Sequence, residues 1–256
     1  MVKTIKNLYQ EIWGKGEHKK YIVTKTRTPY ECEEVSFSGL AHFVPIKGCK
    51  YDCSKNRLMV IGRAVNGWYS GQAKSIEEYG EYVEKTLNDT GFKWVINKNG
   101  TLYNIEETYK LSSPFWNSIK VVLDRILDSD CDEKWVEHIV WTNLYKVAPT
   151  YMDNPDSKMK KIQQEECLEI LKNEIELYKP THILAITGWH EWLEDFADMF
   201  ENIKIYGKNI ASGKNKNDIY VEATAEYNSI PVVVVCRPEM RNKEEYEKQL
   251  LEYFVK

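Results

Sequence analysis

The chain lacks the cysteine spacing that marks a metal site or a disulfide scaffold. Its six cysteines, Cys32, Cys49, Cys53, Cys131, Cys167 and Cys236, are scattered over 256 residues, and no C-x-x-C pair occurs. Disulfide frameworks belong mainly to small secreted domains. Reduced, mostly buried thiols in a cytoplasmic protein are therefore expected. Apolar runs long enough to cross a bilayer are also missing, and Met1-Val2-Lys3-Thr4 does not open a signal peptide. Positive charge is not in surplus: 35 Lys and Arg face 39 Asp and Glu, a formal net charge of −4. That argues mildly against nucleic-acid binding, although a local basic groove can sit on an acidic protein. No internal repeat or low-complexity linker divides the chain, so one domain over residues 1–256 is expected.

Apolar and aromatic residues are plentiful. Hydrophobic residues make up 43%, with 17 Tyr and 8 Trp. This supplies a sizeable core, and aromatic faces also stack nucleobases.

Periodicity predicts the elements. Residues 3–13 read as a short amphipathic helix (Ile5, Leu8, Ile12) stopped by Gly14, and residues 19–57 read as irregular. Residues 57–62 form an apolar strand that runs into a polar turn, residues 63–68. Ser75 with Glu78 is a capping box for a helix ending near Gly91. Asn99-Gly100 between strand-like runs predicts a hairpin over residues 94–105. Ser113-Pro114 opens a helix with Phe115, Ile119, Val122 and Ile126 on one stripe. Strands follow at 136–141, 181–187 and 230–236. A helix over 158–178 separates the first two, with Cys167, Leu171, Ile175 and Tyr178 on one face. Asn242 with Glu245 starts a last helix.

Strands that are apolar on both faces and alternate with helices imply a parallel sheet covered on both sides. The expectation is an α/β fold, a three-layer α/β/α sandwich around four parallel strands. Sites in such sheets lie beyond the carboxyl ends of the strands. Those ends carry residues 62–68, Asn143, residues 188–190 and residues 237–240. The most informative end is Thr142-Asn143, with Lys146 three residues on and Pro149 after it. An Asn amide carries an acceptor and two donors in one plane, which suits reading a base edge.

Five blocks in this order resemble the uracil-DNA glycosylase superfamily, most of all its bacterial and archaeal branches with a G-E-A-P-G motif. Gly62-Arg63-Ala64-Val65-Asn66 sits where that motif sits. Pro114-Phe115 resembles P-F-V-G, and Thr142-Asn143-x-x-Lys146-x-x-Pro149 resembles T-N-x-x-K-x-x-P-P. Glu166-Cys167 through Gly188 resembles the family's helix, Pro, strand and Gly, and Arg237-Pro238 resembles its H-P-S segment. The resemblance covers roughly residues 57–245. It implies a monofunctional DNA glycosylase that flips a nucleotide out of the duplex and hydrolyses its N-glycosidic bond. Its partner would be double- or single-stranded DNA carrying a modified base, with no metal, no organic cofactor and no membrane, and the enzyme would be a monomer. By the same resemblance Phe115 stacks on the base and Asn143 reads its edge, with Gly62 and Ala64 lining the base pocket. Asn66 places the water and Arg237 stabilises the leaving group or holds a phosphate. Arg63, Lys146, Met240 and Arg241 contact DNA, with Met240-Arg241 where the family has its duplex wedge.

The departures point to an unusual base. The first motif has no carboxylate between Arg63 and Trp68, and Arg237 replaces the family's His. Arg cannot act as an acid near neutral pH but is a permanent cation. About 45 residues intervene before Pro114, and an insertion over 69–112 suggests a lid or wall. A bulky modified pyrimidine is the expected substrate, such as glucosylated hydroxymethylcytosine in phage DNA, which anti-phage relatives remove. Uracil excision in repair, or an inactive relative that binds nucleic acid or a nucleotide, are the alternatives.

Each candidate also has a structural explanation. Asn143 could cap its strand end, Phe115 and Trp68 could be core, and Asn66-Gly67 could be an ordinary turn. Arg237 could pair with Glu239. His42, His138 and His190 read as structural or surface histidines. Lys204, Lys208, Lys214 and Lys216 could follow DNA phosphates or line a solvated loop. Asp52, Asp153 and Asp156 are carboxylates that a fold could bring to a site.

Overall fold

Apolar runs with no polar face become neighbouring strands of one sheet. The computed structural model describes residues 4–24, 32–65, 75–89, 113–127, 135–150, 154–190, 192–207 and 218–254. The chain divides into two compact units. The first holds residues 1–45, 62–89 and 142–179, and the second residues 46–61, 90–141 and 180–256.

In chain order the strands are β1 (Tyr21–Thr24), β2 (Cys32–Val35), β3 (Leu40–His42), β4 (Ile46–Lys47), β5 (Leu58–Gly62), β6 (Ile139–Asn143), β7 (Val147–Pro149), β8 (His182–Ala185), β9 (Glu201–Ile205), β10 (Val221–Tyr227) and β11 (Ile230–Val235). The helices are α1 (Ile5–His18), α2 (Ile76–Asn88), α3 (Pro114–Ile126), α4 (Ser157–Tyr178) and α5 (Lys243–Leu251).

The principal sheet runs β4-β6-β5-β8-β11-β10-β9. β5, β8 and β11 pair in parallel. β4 on β6, β10 on β11 and β9 on β10 are antiparallel. The sheet is therefore mixed and seven-stranded, not parallel and four-stranded. The four expected strands are its contiguous centre. The additions escaped the sequence for local reasons. β4 has two residues, and every residue of β9 is exposed, so neither shows a hydrophobic period. The β10–β11 turn uses Asn228 and Ser229, both at positive φ, instead of the Asn-Gly pair that signals such hairpins.

In the second unit, Leu58, Val60, Ile139, Leu184 and Val234 are fully buried. α3 starts with Pro114 at its first turn and buries Trp116, Ile119, Val122, Leu123 and Ile126. It packs against α5, whose N-cap Asn242 accepts from the Glu245 N–H.

In the first unit α1 packs on α2 and α4. It does not stop at Gly14 but continues to His18. Gly16 serves packing: a Cβ there would lie 2.4 Å from the Phe37 ring. The "irregular" stretch contains the antiparallel β1–β2 pair and β3, which pairs with β7. Ser75 caps α2 by accepting from the Glu78 N–H. α2 is the described part of the expected insertion, and it lies against α1 through Lys6–Glu84 (2.7 Å) and the Gln10 amide on the Ile76 carbonyl. The expected hairpin over 94–105 lies outside the described residues. α4, capped by Asp156, carries Cys167, Leu171, Ile175 and Tyr178 on its buried face as expected.

Candidate functional site

β6 is buried at all five positions and delivers Thr142 and Asn143 at its end. The next residues are tied to the end of β5. Leu144 N–H donates to the Gly62 carbonyl (2.9 Å) and Tyr145 N–H to the Arg63 carbonyl (3.0 Å). Gly62, Arg63, Ala64, Asn143 and Lys146 are thus brought together within the first unit. Gly62 and Val65 are buried, while Arg63 and Ala64 are half-buried. Asn143 is 2% exposed. Its carbonyl accepts from Lys146 Nζ at 2.7 Å. Among the described residues its side-chain amide has no hydrogen-bond partner. Asn66, Gly67 and Trp68 lie outside the described residues.

Lys146 departs from the expected DNA contact. It is fully buried. Its ammonium donates to Thr142 Oγ1 (2.7 Å), to the Asn143 carbonyl and to Glu174 (2.8 and 2.9 Å to the two oxygens). An ammonium has three donors, so none remains for a phosphate. Thr142 Oγ1 in turn donates to Glu174 (2.7 Å), and the Tyr9 hydroxyl lies 3.4 Å from the other carboxylate oxygen while donating to the Phe43 carbonyl. Burial raises the Glu174 pKa above the usual carboxylate value. The Lys146 charge and the bonds from Lys146, Thr142 and Tyr9 pull it back. Nearby, burial pushes the Cys167 thiol up to about 12. Sequence reading missed Glu174, although the signal existed: a carboxylate stands on the apolar face of α4 between Leu171 and Tyr178. A buried charge needs a partner, and the Thr-Asn-x-x-Lys block supplies one.

The second unit holds the remaining candidates. Phe115 is half-buried in an aromatic group, its ring centre 5.3 Å from Trp116 and 6.0 Å from Trp141. Arg237 forms a two-pronged pair with Glu239, Nε at 3.1 Å and Nη2 at 2.7 Å. This is the Arg237–Glu239 ion pair the sequence allowed for, and both side chains are more than a third exposed. Met240 is 88% exposed, with φ of 63°. Arg241 N–H donates to the Pro238 carbonyl. Its Nε is buried without a hydrogen-bond partner among the described residues. A hollow of about 110 Å³ here is lined in part by Pro114, Asn117, Pro238, Met240, Arg241 and Tyr246.

His42 packs against Phe37 and Tyr79, with ring centres 4.0 and 5.0 Å away, and burial lowers its pKa to about 3. His138 Nδ1 meets Ser54 Oγ at 3.2 Å, and His190 Nδ1 lies 3.5 Å from Glu194. Asp52 pairs with Lys47 and Asp156 caps α4. Lys204 is exposed on β9. Asp153, Lys208, Lys214 and Lys216 lie outside the described residues. Cys167 and Cys236 are buried, but Cys32, Cys49 and Cys53 are exposed, against the expectation of mostly buried thiols. Among the described residues no three His, Cys, Asp or Glu side chains are grouped to hold a metal, and no helix is long and apolar enough to cross a membrane. Set against models of known protein families and against curated proteins, the chain matches none.

Proposed function

We propose that the chain is a monofunctional DNA glycosylase of the uracil-DNA glycosylase type, with the three-layer α/β/α architecture of that superfamily. It acts on a flipped-out modified pyrimidine. The observation that carries this reading is Asn143. A buried strand ends in an amide whose backbone is fixed and whose side chain has no described partner. An amide held at a strand end without a protein partner can bond a ligand, and the planar edge of a base supplies matching groups. The chemistry needs neither metal nor organic cofactor. Water attacks the sugar carbon as the C–N bond breaks, and the base leaves as an anion that takes its proton from water. Asn66 keeps the water-placing role, Phe115 the stacking role and Arg237 the charge-stabilising role on the resemblance alone. Incubation of duplexes carrying uracil, hypoxanthine, hydroxymethylcytosine or its glucosylated form, then alkaline cleavage at abasic sites, tests the reading. Cleavage lost on Asn143→Ala supports it; intact strands throughout, including modified phage DNA, exclude it.

A second reading is a binding protein without turnover. The Arg237–Glu239 pair favours it, because a guanidinium already bonded to a carboxylate has fewer donors to offer a departing anion. Tight binding to modified DNA with no abasic product would select this reading.

A further inference from the structure

Residues 142–145 are held at every position. The Thr142 hydroxyl accepts from Lys146 and donates to Glu174. The Asn143 carbonyl accepts from Lys146. Leu144 and Tyr145 donate their N–H groups to the Gly62 and Arg63 carbonyls. Glu174 anchors the ammonium to α4, a 22-residue helix. Packing alone does not call for charges at this place. A buried ion pair carries a large desolvation penalty, and apolar side chains of similar volume are commonly as stable. The charges do something apolar side chains cannot: they aim several bonds at fixed angles onto two consecutive residues.

We propose that Lys146, held by Glu174, is the positioning residue for Asn143, fixing its backbone while leaving its amide unpaired for a ligand. The proposal rests on the base-reading role given to Asn143 above. It also defines the ligand class. No described group dictates which end of the amide is oxygen and which nitrogen. Rotation of that amide by half a turn presents either donor or acceptor to the same point. The site therefore accepts both 4-oxo and 4-amino pyrimidine edges, uracil-like and cytosine-like bases alike.

The test replaces the pair by apolar side chains, Lys146→Met with Glu174→Leu, in the full chain. Thr142→Val serves as a second, milder variant. Melting, affinity for unmodified duplex, and kcat and KM on uracil and hydroxymethylcytosine duplexes are measured together. The double variant is expected to melt cooperatively and bind unmodified duplex as the wild type does. Its kcat should fall about 10²-fold on both bases, because a small misplacement of a binding group is enough for that loss. Thr142→Val should lose about 10-fold by the same reasoning. A purely structural role predicts that kcat recovers with the melting temperature. Cleavage by the wild type together with full kcat in folded variants overturns the positioning role alone. Wild-type cleavage of only one of the two pyrimidine classes overturns the dual-edge assignment. No cleavage by the wild type on any duplex overturns the glycosylase reading, and the positioning role with it.

Discussion

His42 should make the first unit acid-labile well before its carboxylates titrate. Its imidazole is wedged between the Phe37 and Tyr79 rings. Burial lowers its pKa from 6.5 to about 3. The unfolded chain therefore binds a proton below about pH 6.5 that the folded chain refuses until about pH 3. Between those values the unfolded state holds more protons, so stability falls as pH falls. Above the window the group contributes nothing to the pH dependence. One pKa unit corresponds to about 1.4 kcal/mol, so the loss is about 2 kcal/mol at pH 5 and about 3 kcal/mol at pH 4. The comparison is wild type against His42→Phe, by urea denaturation followed through tryptophan fluorescence at pH 7, 6, 5 and 4. The variant changes the packing against Phe37 and Tyr79 at every pH, so the slope and not the absolute stability is read. Wild type should lose about 2 kcal/mol more than the variant between pH 7 and pH 5. Parallel slopes, within about 0.5 kcal/mol, would show that the imidazole takes up its proton in the folded state and would refute the reasoning.

Other outcomes follow from named contacts. Lys146→Met alone leaves Glu174 charged and buried and should cost about 3–5 kcal/mol in urea denaturation, while the double variant with Glu174→Leu should recover most of it. A Cβ at residue 48 would lie 2.2 Å from the Glu137 carbonyl oxygen; Gly48→Ala should cost about 1–3 kcal/mol, read as a lower melting temperature. Asn242→Ala removes the cap of α5 and should cost about 1 kcal/mol in the same melt. Met240→Ala truncates the exposed turn tip and should leave the melting temperature unchanged. If the tip enters the duplex, kcat/KM on duplex DNA should fall more than on single-stranded DNA.

Local chemistry made much of the chain legible. The Ser75 and Asn242 caps, Pro114 at the start of α3 and the buried face of α4 rest on neighbours a few residues apart, and all form as read. The central strands were visible because a strand buried on both faces is apolar throughout. Gly14 misled, because a glycine near the end of an amphipathic run reads as a stop, whereas α1 continues through it to His18. The edge strands were hidden because exposed or very short strands carry no hydrophobic period.

The amino-acid order alone determined the central strands and their ends, the capped helices and the Thr-Asn-x-x-Lys block, since these follow from side-chain period and backbone preference within one segment. Tertiary structure alone decided what the block does. It buried Lys146, matched it with Glu174 from a helix 28 positions away and left the Asn143 amide without a described partner. The cost of an unpaired buried charge is felt only when distant segments exclude water around it, so no local pattern could have assigned that lysine to the interior.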